Sequence, residues 1–219
     1  MNKSILQPLL GVLILSSCIC QIGTLQAQTL MIDSFDKMST TASKKYPRYR
    51  SSQQGYDVYY ESAKVQLSLV RHNTPDTSDK TLRIEFDLPP ANWLSVRKEF
   101  PSSLNLGDYE GVELYLCVTV ASPSVLLRIT LSDLTDDEKD GDEMWWFNCD
   151  TTLLNNKTKK WIKIRMPFTR FGLSYGVGTR QNDRTLNLKK IIAYEVNLIS
   201  EAGKNASGRI CINSFQAYR

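Results

Sequence analysis

The 219-residue chain has a single histidine, His72, and no Gly-x-Ser-x-Gly elbow. A catalytic triad needs a base beside its nucleophile, and histidine–metal chemistry needs several imidazoles, so both classes are set aside. Charge of one sign is also scarce: 27 Lys and Arg against 23 Asp and Glu give a formal net charge of +4. A balance that mild and evenly spread does not point to nucleic acid or an anionic membrane surface. Cysteine is sparse too. Cys18 and Cys20 lie near the start, which leaves Cys117, Cys149 and Cys211. That odd set has no metal-ligand spacing and permits one disulfide at most, with buried free thiols as the alternative. No segment has the period of an amphipathic helix, no repeat recurs, and no linker separates two domains.

The first residues predict a leader. Lys3 is a positive n-region, Ile5 to Leu15 is apolar, and Ser16-Ser17-Cys18 is a small-residue end, so residues 1–27 are expected to be a secretory signal peptide. Two processing points compete. Leu15-Ser16-Ser17-Cys18 resembles a bacterial lipobox, with Cys18 lipidated, while Leu25-Gln26-Ala27-Gln28 allows ordinary cleavage after Ala27. The second leaves 219 − 27 = 192 residues, one domain over 28–219 with enough chain for a sizeable core. Either way the product is expected outside the cytoplasm of a bacterium, in the periplasm, on the cell surface or in the medium.

Beyond the leader the chain is written in period two. In Trp161 to Pro167, Ile162, Ile164 and Met166 share one side, with Trp161, Lys163 and Arg165 on the other. This is the pattern of a strand with one buried face. Leu82 to Leu88, Val112 to Val120, Val125 to Leu131, Ile191 to Ile199 and Gly208 to Phe215 are written similarly. The turn at Ser122-Pro123-Ser124 suggests that the Val112 and Val125 strands form a hairpin. Residues 37–55 and 172–189 lack a hydrophobic period and are expected to be loops, and Pro101 to Gly107 a connector. About ten strand segments predict an all-β fold, a β-sandwich or jelly roll.

The order of these pieces resembles a known family. Ile32 to Asp36, Leu82 to Leu88 with Trp93, Leu106 to Val112, Trp161 to Phe171 and Gly208 to Phe215 are similar to the galactose-binding-like jelly roll, and within it to bacterial family 11 carbohydrate-binding modules. The resemblance spans nearly all of residues 29–219. It implies a non-catalytic module that binds an oligo- or polysaccharide. It also implies a structural calcium near the first and last strands. Asp33, Asp36 and Asn213 occupy the matching places, although the acidic pair usual in the last strand reads Asn213-Ser214 here.

Sugar recognition needs aromatic rings for stacking and planar polar groups for hydroxyls, on a sheet face or at its edge. Alternation puts Tyr115, Arg128, Glu195 and Asn197 opposite the apolar runs. Trp146 shares its side with Asn148 and is the better exposed of the Trp145–Trp146 pair. These six are the candidate ligand-binding residues, with shielding of the core edge as the rival role for Trp146. The acidic stretch 133–143 resembles the start of an EF-hand loop but has Phe147 at the twelfth position, so a solvated hairpin tip is the expectation. Two carboxylates could cleave a glycosidic bond, but no motif pairs two of them. Two functions therefore stand side by side: a glycan-binding module, or an envelope assembly protein that uses the same sandwich to hold a protein partner.

Overall fold

A computed structural model describes residues 29–35, 50–53, 56–60, 62–71, 80–121, 124–134, 142–150, 160–174 and 185–219. The expected leader with Cys18, Asp36, His72 and most of the acidic stretch lie outside the described residues.

Thirteen strands are seen among the described residues. They are β1 (Thr29–Asp33), β2 (Arg50–Gln53), β3 (Tyr56–Tyr60), β4 (Lys64–Val70), β5 (Thr81–Leu88), β6 (Trp93–Leu104), β7 (Gly111–Ala121), β8 (Val125–Leu134), β9 (Asp142–Asn148), β10 (Trp161–Pro167), β11 (Gly172–Leu173), β12 (Ile191–Ser200) and β13 (Ala206–Tyr218). A single 3-10 turn at Phe168–Arg170 is their only helical companion among those residues. The fold is the expected all-β sandwich of jelly-roll type. The front sheet runs β11-β9-β8-β12-β6-β3-β2 and the back sheet β10-β7-β13-β5-β4, with β1 also on β13; every pairing is antiparallel.

The alternating residues supply the core. Leu82, Ile84, Leu116, Ile210 and Ile212 of the back sheet meet Leu94, Val96, Leu127, Ile129, Val196 and Leu198 of the front sheet, and all are buried. Burying a side chain of this size contributes roughly 1.5–3 kcal/mol, so two inward faces are enough to hold the sheets together. Phe168 and Phe171 close one rim, packed on each other, with Phe171 also against Phe147.

The strand β13 organises the back sheet. Its first half pairs with β5 as far as Ile212↔Leu82, and its second half pairs with β1 from Phe215↔Asp33 onward. Between them Ser214 takes a left-handed φ of 51° and the register on β7 slips. This bulge re-aims the chain so that Phe215 and Ala217 again face the core.

Three expectations need correction. The strands β7 and β8 are not a hairpin: β7 pairs with β10 and β13 in the back sheet, and β8 with β9 and β12 in the front sheet. A one-sided apolar pattern is equally suited to a hairpin and to a short crossing between packed sheets, so the pattern does not choose. The residues from Pro101 to Leu104 extend β6, with Pro101 where the register against β12 is irregular and no ladder N–H is required of it. Finally, β2 and β11 form inside the two stretches expected to be loops. Both are edge strands made by backbone pairing, β2 with β3 and β11 with β9, so no hydrophobic period announces them.

Candidate functional site

The outer face of the front sheet gathers five of the six candidate ligand residues. Reading across strands by register, one row is Tyr59, Ser95, Asn197, Arg128 and Asn148. The next is Asp57, Arg97, Glu195, Thr130, Trp146 and Gly172. A third row, Trp93, Ile199 and Leu126, borders the first. Each side chain points outward because its neighbours in sequence point into the core.

The middle of this face is a closed polar network. The Arg97 guanidinium meets Glu195 Oε1 at 2.6 Å and donates to Ser132 Oγ at 3.0 Å, and Ser95 Oγ donates to Glu195 Oε2 at 2.9 Å. The Glu195 oxygens are thus engaged, and the residue is buried. It props the face rather than offering a free acid to a ligand. The Asn197 amide donates to Thr130 Oγ1 at 2.9 Å, which leaves its carbonyl oxygen to accept.

The accessible groups lie around that network. Trp146 is half-buried, and the Arg128 guanidinium lies 3.7 Å from its ring centroid while Arg128 Nε donates to Asn148 Oδ1 at 2.7 Å. Burial pulls the Arg128 pKa down from its ordinary value, yet a guanidinium stays charged in a protein. The two terminal nitrogens of Arg128 and the amide N–H groups of exposed Asn148 are the donors this corner presents. Gly172 stands opposite Trp146, and a side chain there would lie against the indole, 3.6 Å from its nitrogen. At the diagonally opposite corner Trp93 is 39% exposed. Three strand spacings and four residues along the strand separate the two tryptophans, roughly 20 Å.

Trp93 is the site residue that sequence reasoning missed. Parity would have found it, since Trp93 shares its side of β6 with polar Ser95 and Arg97 and not with Leu94 and Val96. Tyr115 is the residue the structure sets apart. It lies on the outer face of the back sheet, half-buried, with the Lys163 ammonium 5.0 Å from its ring centroid.

The described residues do not fit the expected calcium site. Asp33 is buried, and its Oδ2 receives the Lys98 ammonium at 2.7 Å and the hydroxyls of Tyr56 at 2.9 Å and Tyr194 at 2.6 Å. Its Oδ1 accepts from the Phe35 N–H at 2.8 Å. The lysine therefore supplies the positive charge that this carboxylate needs. Asn213 is likewise occupied, its amide on Lys80 O and its oxygen accepting from Ser214 Oγ. No group of three or more His, Cys, Asp or Glu that could hold a metal is found among the described residues.

No protein-family model matches the chain, and no curated protein matches it in sequence. Solved structures do match in fold. The family 11 carbohydrate-binding module of the cellulase Lic26A-Cel5E of Clostridium thermocellum has a TM-score of 0.61 at 15% identity, over 87% of this chain and 94% of that one. A family 11 module from the same organism, in complex with a β-1,3-1,4-mixed-linked tetrasaccharide, has a TM-score of 0.59 at 15% identity, over 86% and 94%. A family 30 carbohydrate-binding module follows at 0.50 and 10% identity, over 87% of each chain. The chain has the jelly-roll fold of the family 11 carbohydrate-binding modules.

Proposed function

We propose that this protein is a non-catalytic carbohydrate-binding protein that holds a glycan chain on the outer face of its front sheet. The observation that carries the reading is the arrangement of that face: two accessible tryptophans at opposite corners of a strip of amide, guanidinium and hydroxyl groups. The indole rings offer apolar surfaces for pyranose faces, and the Arg128, Asn148 and Asn197 groups are spaced to meet hydroxyls. The span between Trp93 and Trp146 suits several sugar rings in line, hence an oligo- or polysaccharide. The fold shared with carbohydrate-binding modules, one of them captured with a tetrasaccharide, supports the same reading. The engaged state of Glu195 supports a binding role over acid–base chemistry.

The proposal includes export. The leader directs the protein out of the cytoplasm of a bacterium, free or anchored by a lipid on Cys18, where polysaccharides are met.

A glycan array and polysaccharide pull-down test the reading, with wild type beside Trp93→Ala and Trp146→Ala. Saturable binding to a defined glycan is expected, weakened roughly five- to thirtyfold in each variant, since loss of one stacking ring removes roughly 1–2 kcal/mol. Absence of binding to every glycan, with cooperative melting intact, would sink it. A second reading has one observation in its favour: Trp93, Ile199 and Leu126 form an apolar row in register, which suits an envelope protein partner. Capture of such a partner, lost in Trp93→Ala but kept in Trp146→Ala, would favour that reading.

A further inference from the structure

The opposite side of the sandwich carries a feature that glycan binding does not use. On the back sheet Cys211 of β13 lies directly across from Cys117 of β7. The row continues with Trp161 opposite Cys117 and Arg83 opposite Cys211. Both cysteines face outward, since Leu116, Val118, Ile210 and Ile212 on either side of them belong to the core. Each is nevertheless only 1% exposed, between the tryptophan and the arginine. Cys149 is elsewhere, packed within the core.

We propose that Cys117 and Cys211 are the site of a cross-strand disulfide, formed by exchange with a small-molecule disulfide and tying the last strand to its neighbour, while Cys149 stays a thiol. Register partners in an antiparallel pair place their Cβ atoms about 4.5–5.5 Å apart. A disulfide spans about 3.5–4.5 Å between Cβ atoms, so a slight approach of β7 and β13 closes it. Such a bond carries strain and is readily reduced again.

The neighbours assign an order to the exchange. Burial pushes both thiols up and both stay raised; at Cys211 its register partner Arg83, with Arg209, opposes part of that rise, while Glu85 adds to it. Cys211 gives its proton to solvent, and its sulfur attacks one sulfur of the external disulfide, expelling a first thiolate. The Cys117 sulfur, also deprotonated, then attacks the Cys211 sulfur and expels the second. Two protein thiols are oxidised and one external disulfide is reduced to two thiols. The half-buried Arg83 side chain must swing aside to admit the oxidant, so the reaction is slow.

The test is incubation of the protein with glutathione disulfide, then alkylation, tryptic digestion without reductant and mass spectrometry. The expected product joins residues 99–128 to residues 210–219, two hydrogens lighter than the separate peptides. It disappears with dithiothreitol and persists in Cys149→Ser. Full alkylation of Cys117 and Cys211 on unfolding after the same treatment would overturn the proposal. So would a bridge to Cys149, or a glutathione adduct that never resolves to the linked peptide.

Discussion

Glu113 shows how much one residue does on a sheet face. It is 1% exposed, and its two oxygens receive Lys163 Nζ at 2.8 Å, Arg165 Nε at 2.8 Å and Gln216 Nε2 at 2.6 Å, from strands on both sides of β7. Burial alone would raise its pKa, but these donors outweigh burial and hold it below its ordinary value. The folded protein therefore binds this proton less readily than the unfolded chain. The stabilisation is complete above the unfolded value, about 4.3, and is lost as pH falls through the lower folded value. The melting temperature should decline in acid below that point. Glu113→Gln should melt lower at neutral pH, by about 1–3 kcal/mol of stability, with a flatter acid slope. Thermal melts from pH 3 to 7 on both proteins check this; equal slopes would contradict it. At the same scale, parity along β9 was enough to place Trp146 and Asn148 together, and parity along β6 would have added Trp93.

Elements are joined by contacts that single strands do not announce. Gly111 opens β7 where β10 and the end of β13 flank it, opposite Pro167 and Tyr218. A Cβ there would stand 2.5 Å from Met166 O and 2.6 Å from the Tyr218 hydroxyl. One of these is backbone, which cannot swing away, so the strands must part. Gly111→Ala should cost about 2–4 kcal/mol, read as a lower midpoint in urea with little change in slope. A stability within experimental error of wild type would show that the strand ends yield more easily than the packing implies. The placement of β7 and β8 in different sheets belongs to this scale. Each strand was legible, with Leu114, Leu116, Leu127 and Ile129 facing inward as expected, but the partner was not. Pairing is decided by which surfaces remain to be covered once the sheets pack.

For the whole molecule, the consequence is slow folding. The first strand pairs with the last, and β13 must find β5 and β7 from far along the chain. Loops this long pay their closure entropy before the core rewards it, so refolding should take milliseconds to seconds or longer. Stopped-flow tryptophan fluorescence after dilution from denaturant measures it; a microsecond phase carrying the full amplitude would contradict the argument. The same topology makes the front face a single surface, because residues from β3, β6, β8, β9 and β12 become neighbours only when all five strands are in register.

The sequence by itself determined the fold class and the side of the strand on which most side chains lie. The reason is local: a period of two needs only the alternation of adjacent residues. Tertiary structure alone decided which strands are neighbours, and with that the function of several residues. It assembled Arg128, Trp146, Asn148 and Asn197 with Trp93 on one face and left Tyr115 on the other. It turned Glu195 and Asp33 from candidate ligands into internal partners of Arg97 and Lys98. It also set Cys117 beside Cys211. Each of these depends on register between segments distant in the chain, which is fixed by the sum of packing over both sheets and is written in no single stretch of residues.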